Sequence, residues 1–263
     1  DEADIIKTDG NYIYTISYRE FSIVKTNPAE ESKKLSTLKL DNFNAQEMFI
    51  HDDIILLFGN TEAPVRPMPY EARGAAEKMI APEFYPYYSF TTIKLIDTND
   101  KEKPKVVRSI DFEGYYLTSR KIDDKVYFVI NNYPRFYAYA EQGLKGLTDQ
   151  EVVPLFRDMN SLEIKNEVDK DFSTVVGCGD VAYFEPIQPS NFITIASISM
   201  ENVDDDIEKE VVVGSGQNVY ASKDNLYVAE VQYDYAIRPL AQEDNNDTED
   251  DFEENTEKTV VHK

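Results

Sequence analysis

HDDIILLFG, residues 51–59, sets two acidic residues ahead of a short apolar run, Ile54 to Phe58, and closes it with glycine. A run this short, bounded by turn-forming residues, reads as a strand launched from a tight polar turn. The pattern recurs at DGNYIYTIS (9–17), DDKVYFVI (123–130), GDVAYFE (179–185) and KDNLYVAEV (223–231). Superposing Tyr14, Leu56, Tyr127, Tyr183 and Tyr227 gives spacings of 42, 71, 56 and 44 residues. Removing a compositionally odd stretch, 61–88, returns the longest interval to about 43, inside the ~40–45-residue period of four-stranded propeller blades.

More strands follow each pattern. Second strands are expected at 19–26, 90–98, 191–199 and 257–263, and third strands within 27–40, 99–112 and 201–214, after charged or Pro-containing turns. AQEMFI (45–50), YYLTSRKI (115–122) and NVYASK (218–223) read as fourth strands. A unit of four antiparallel strands cannot cover both of its faces and must stack on copies of itself. The expected fold class is therefore all-β, a β-propeller of four-stranded antiparallel blades. Blades fall at about 9–50, 53–122, 125–178 and 180–223, with a partial blade at 224–263. Because that last unit stops after its second strand, an incomplete ring is expected, with the natural protein continuing beyond Lys263.

Two insertions interrupt the period. That at 61–88 is rich in Pro and Tyr around one helical stretch, YEARGAAEKM (70–79). The other, about 135–165, holds a helix start at Thr148, where Glu151 three residues on makes a capping box. Both are expected outside the sheets, where propellers carry binding loops.

Hydrophobic content of 41%, with 18 Tyr and 14 Phe, excludes a globally disordered chain. Net charge is −23, from 50 acidic and 27 basic residues, so nucleic acid and anionic lipid surfaces would be repelled. Part of the acid lies in QEDNNDTEDDFEENTE (242–257), whose low apolar content predicts a solvated or disordered run. A single cysteine, Cys178, excludes an internal disulfide, and His51 and His262 have no zinc-site spacing. No apolar run is long enough to span a bilayer, so no membrane insertion is expected. The start at Asp1 rather than Met predicts that a targeting segment has been removed from a secreted or cell-surface protein.

The opening Asp1-Glu2-Ala3-Asp4 would serve a nucleotide-driven helicase only after a buried strand and beside a phosphate-cradling loop. Neither accompanies it, and these letters read as an acidic lead-in to the first blade. DEADIIKTDGNYIYTIS, QEMFIHDDIILLFG, YYLTSRKIDDKVYFVINNY, CGDVAYF, FITIASISM and GSGQNVYASKDNLYVA together resemble bacterial and archaeal secreted proteins with a C-terminal β-propeller domain distantly related to WD-type repeats. The resemblance implies an extracytoplasmic propeller and carries over no activity or catalytic residues.

Candidate site residues are few. Asp204, Asp205 and Asp206 lie in a predicted turn and supply oxygen ligands of the kind calcium prefers, although EF-hand spacing is absent and a solvated turn is the favoured reading. No other cofactor is expected. Tyr85, Tyr87 and Tyr88 in the first insertion, with Tyr133, Phe136, Tyr137 and Tyr139 opening the second, could anchor a protein or stack on sugars, or pack locally. Arg120 is a basic residue in a predicted strand, suited to a carboxylate of the neighbouring blade or to a ligand. Cys178, between glycines, reads as a small buried thiol. These features predict a non-catalytic module binding a protein or cell-wall glycan. The alternative is a propeller enzyme, a hydrolase or lyase acting on glycans with or without calcium, and it requires two carboxylates, or a carboxylate with Tyr or His, to converge near the centre.

Overall fold

The computed structural model describes residues 1–61, 89–133, 147–166, 170–183, 191–214, 216, 218–222, 225–234 and 256–263. The first sheet is β1 (Ile6–Thr8), β2 (Tyr12–Ser17), β3 (Glu20–Lys25) and β4 (Lys33–Lys39), antiparallel in chain order. The second contains β5 (Phe43–His51), β6 (Ile54–Thr61), β7 (Phe90–Asp97) and β8 (Lys105–Glu113). The third contains β9 (Tyr115–Ile122), β10 (Lys125–Asn132), β14 (Phe192–Ser199) and β15 (Glu208–Val213). The fourth is β16 (Asn218–Ala221), β17 (Leu226–Asp234) and β18 (Thr256–His262).

Three further strands enlarge the middle sheets. β11 (Leu155–Asn160) adds antiparallel to β8 and carries β12 (Ser173–Thr174), whereas β13 (Ala182–Tyr183) adds parallel to β15. Between β10 and β14, therefore, the chain leaves the third sheet, extends the second, and returns. The expected second insertion is in part a two-strand extension of the neighbouring sheet. It includes the predicted helix start, where the Glu151 carboxylate accepts from the backbone N–H (2.8 Å) and hydroxyl (2.9 Å) of Thr148 at the head of α1 (Asp149–Val152).

Three expectations about the units are corrected. AQEMFI, YYLTSRKI and NVYASK are first strands of the following sheet, not fourth strands of the preceding one. Their two-residue or similarly tight turns, with Asp52 (φ 48°) and Asp123 (φ 54°) left-handed, pair them locally with β6, β10 and β17. Expected units at 125–178 and 180–223 are not two blades: β10 pairs with β14 over eight residues in the third sheet, while β11 and β12 join the second and β16 the fourth. Tyr183 lies in the two-residue β13 rather than in a blade's own second strand, so the 56-residue spacing was a coincidence of pattern. Tyr14, Leu56, Tyr127 and Tyr227 do occupy equivalent second strands.

Alternation explains why β6 is apolar at every position from Ile54 to Phe58. Leu56 and Phe58 face the third sheet, joining Phe128, Ile130, Phe192 and Ile198, while Ile55 and Leu57 face the first, joining Tyr14, Phe21 and Ile23. Successive strand residues point to opposite faces, so a sheet covered on both sides needs apolar residues at consecutive positions. A smaller cluster of Val129, Ile193 and Val228 joins the third sheet to the fourth. The opening acidic letters run beside first strands: Asp4 and Met48 exchange backbone hydrogen bonds, as do Asp1 and Lys121.

In the first sheet, Asp9 organises the turn into β2. Its carboxylate accepts from Asn11 N (2.9 Å), Tyr12 N (2.8 Å) and the Tyr14 hydroxyl (2.7 Å). Partial burial alone would raise its pKa, but these hydrogen bonds outweigh burial and hold it below the usual carboxylate value. A carboxylate depressed on folding stabilises above its unfolded pKa, about 3.9, and ceases to do so as pH falls through its folded value. The difference in urea midpoint between the parent chain and Asp9→Asn should thus be full at neutral pH and shrink progressively below about pH 4. A difference independent of pH would refute this role for the charge.

Candidate functional site

In an antiparallel sheet, the connection from second to third strand and the link to the next sheet's first strand lie at the same end. At that end of the first sheet is only the Tyr18–Arg19 turn. In the other three sheets the same connection is long: it spans 62–89, 133–191 and 235–255. Most of the acidic run, 242–255, lies outside the described residues and belongs topologically to a third long connection, Thr256 and Glu257 opening β18; all three connections are rooted at one end.

At the root of the first of them lies a cavity of about 340 Å³ between the second and third sheets. Gly59, Asn60 and Thr61 close β6, Ser89 to Thr91 open β7, and Gly114 to Tyr116 make the link into β9, with Gln46 on β5 completing the lining. Two glycines permit this approach. A Cβ on Gly59 would lie 2.2 Å from the Asn44 carbonyl oxygen, and Gly114 combines φ +120° with a Cβ position 2.5 Å from the Asn131 carbonyl oxygen.

Some of the lining polar groups hold the walls in place. Thr91 donates to the Gly114 carbonyl (3.0 Å), and the Thr61 and Thr92 hydroxyls lie 3.2 Å apart, with Thr92 donating to Asp111 (2.6 Å). Others remain unspent: the side chains of Gln46, Asn60 and Ser89 and the Tyr115 hydroxyl make no hydrogen bond to a described residue. The Tyr115 and Tyr133 rings meet edge to face at 6.0 Å, and both are largely exposed.

Beside the cavity, the Tyr116 hydroxyl donates to Glu47 Oε2 (2.6 Å) and lies 2.7 Å from Ser119 Oγ. Burial, then the neighbouring carboxylate, pushes the phenol well above its ordinary pKa. A neutral phenol already donating to a carboxylate is a poor base, and the contact joins first strands of two sheets.

Sequence-expected residues are divided between the two ends. Tyr133 stands at the loop-bearing end, whereas Tyr85, Tyr87, Tyr88, Phe136, Tyr137 and Tyr139 lie outside the described residues. Asp204, Asp205 and Asp206 are exposed at the opposite end, in the β14–β15 turn. There Arg108 Nη1 donates to the carbonyls of Val203 (2.6 Å) and Asp205 (2.8 Å), so a guanidinium already engages two loop oxygens that a cation would want. Among the described residues no three His, Cys, Asp or Glu side chains gather as a metal site needs.

Arg120 joins neither group. It is half-exposed, donating to Ser119 O (2.7 Å) and lying 3.4 Å from Glu2. The buried inter-sheet arginine is Arg108, which the sequence reading passed over. Its signal was a charge at an inward position of KVVRSIDF. Cys178 is exposed, not buried, because it sits in a short helical turn after β12 rather than in a strand.

Another cavity, about 370 Å³ at the turn end, is lined among others by Asp52, Asp53, Asp97 and Glu201 with His51. Lys101 (2.6 Å from Asp53) and Lys105 (3.3 Å from Asp97) neutralise two of these carboxylates.

No curated protein and no solved structure matches the chain. The family model described as "Beta propeller domain" matches residues 1–263, in keeping with the succession of antiparallel sheets packed face to face. The chain belongs to the beta propeller domain family.

Proposed function

We propose that this chain is a non-catalytic recognition module working outside the cytoplasm, which binds a protein or cell-surface glycan through the end bearing the three long connections. The observation supporting this is their common root. Three long segments occupy the same second-to-third-strand position in successive sheets, and the first of them is rooted at a cavity whose polar groups are partly unspent. Variable loops on a rigid array are how repeat folds build binding surfaces. No described helix is long and apolar enough to cross a membrane.

Replacing residues 62–88 by a two-residue Asn-Gly hairpin turn tests the reading. On a glycan array and against cell-wall and surface-protein fractions, the parent chain should bind and the shortened chain should lose that binding while melting within a few degrees of the parent. Unchanged binding by the shortened chain would remove this connection from the recognition surface.

A second reading, a glycan hydrolase or lyase, draws on Glu47 and Tyr116, a carboxylate and a tyrosine that do converge on first strands. The raised phenol and its spent proton favour an inter-sheet tie over an acid–base pair.

A further inference from the structure

We infer that the cavity at the loop-bearing end binds an uncharged, hydroxyl-rich ligand of sugar-ring size. This rests on the reading of that end as the ligand face and specifies its chemistry.

The chain carries −23 overall, yet none of the described residues lining this cavity is acidic or basic. At the opposite end, a cavity of similar volume is ringed by four carboxylates. A site built for a cation or anion would set a compensating charge in its wall, since an unpaired ligand charge is costly to desolvate.

Hydrogen-bonding capacity is the second strand of the argument. Gln46 and Asn60 each offer a carbonyl and an NH₂ group, and Ser89 and Tyr115 each offer a hydroxyl that both donates and accepts. None of these four polar groups makes a hydrogen bond to a described residue. Such a set suits a ligand that is itself donor and acceptor at every position, as a sugar hydroxyl is. Exposed Tyr115, held edge to face against Tyr133, adds an aromatic surface for the apolar C–H face of a pyranose.

Size agrees with this. About 340 Å³ lies at the small end of the ~300–1,000 Å³ typical of small-molecule sites. It accommodates a terminal or single ring rather than a long buried chain.

The test is ligand-observed saturation-transfer NMR, with titration calorimetry, on the full chain. The probes are methyl glucoside, methyl galactoside and N-acetylglucosamine as neutral sugars, and glucuronic acid and glucosamine as charged counterparts. A neutral sugar should bind in preference to its charged counterpart. Asn60→Ala and Tyr115→Phe should each weaken binding by up to about tenfold, the loss expected when one neutral hydrogen bond to a ligand disappears. Thr37→Ala, on the outer strand of the first sheet, should bind as the parent does, and thermal melts confirm that all variants fold.

Preferential binding of either charged sugar, or neutral binding insensitive to both cavity substitutions, overturns the inference. So does the absence of saturation transfer from every probe. If that absence accompanies loss of a protein ligand on removing residues 62–88, recognition at this end stands and only the sugar assignment fails. If neither experiment detects a ligand at this end, both fall.

Discussion

Arg108→Ala lowers stability by about 3 kcal/mol, the scale on which breaking one partner of a buried charge pair acts. For a domain of this size that is a fall in melting temperature of roughly 6–12 °C. Arg108 is 6% exposed and joins three segments distant in sequence. Nε and Nη2 grip the Asp158 carboxylate on β11 at 3.0 and 2.6 Å, while Nη1 reaches the carbonyls of Val203 and Asp205. Alanine leaves a partly buried carboxylate and two carbonyls without this donor. Arg108→Lys keeps the charge but not the planar fork, and should recover less than half of the loss. Urea midpoints of the three proteins decide the matter. A loss below about 1 kcal/mol for alanine would show that desolvating the guanidinium nearly cancels its bonds.

The other large effect is at Phe58. Its ring stacks on Tyr116 (4.8 Å between centroids) and meets Phe128 and Phe49 edge-on at 5.4 and 6.3 Å, with no exposure to solvent. Phe58→Ala should cost about 4 kcal/mol, combining lost transfer energy with the cavity left between two sheets. Phe58→Leu, retaining most of the volume, should cost under half of that. The two variants are distinguished by melting temperature, with shifts of about 8–16 °C expected for alanine. Equal losses in both would mean that ring geometry, rather than volume, sets the packing.

Much of this fold was legible because its strongest determinants are local. A run such as IILLF between turn residues specifies a short strand whatever lies around it, and Asp-Asp and Asp-Asn turns mark hairpins. Which strand lies beside which is less local. A first strand placed just ahead of an HDD or IDD turn could be assigned to the sheet before it or after it until the turn's left-handed aspartate was given weight. The detour through β11 and β12 had no local signal. Its pairing with β8 is decided by Arg157 reaching Asp111 (2.7 Å), Leu155 N–H reaching Glu113 (2.9 Å) and Phe156 meeting Phe112.

The candidate site was less visible. Aromatic residues attract notice in a sequence, whereas Gln46, Asn60 and Ser89 are ordinary polar residues until strand ends bring them together. Asp204 to Asp206 attracted notice as a cluster, but their backbone, not their carboxylates, makes the contact with Arg108.

The excursion between β10 and β14 has a consequence for any attempt to divide this protein. A cut after Asn132 would strip outer strands from one sheet and leave its neighbour half-built, so neither fragment would hold either middle sheet complete. The two middle sheets are laced by a single thread, and should melt, exchange amide protons and resist protease as one body.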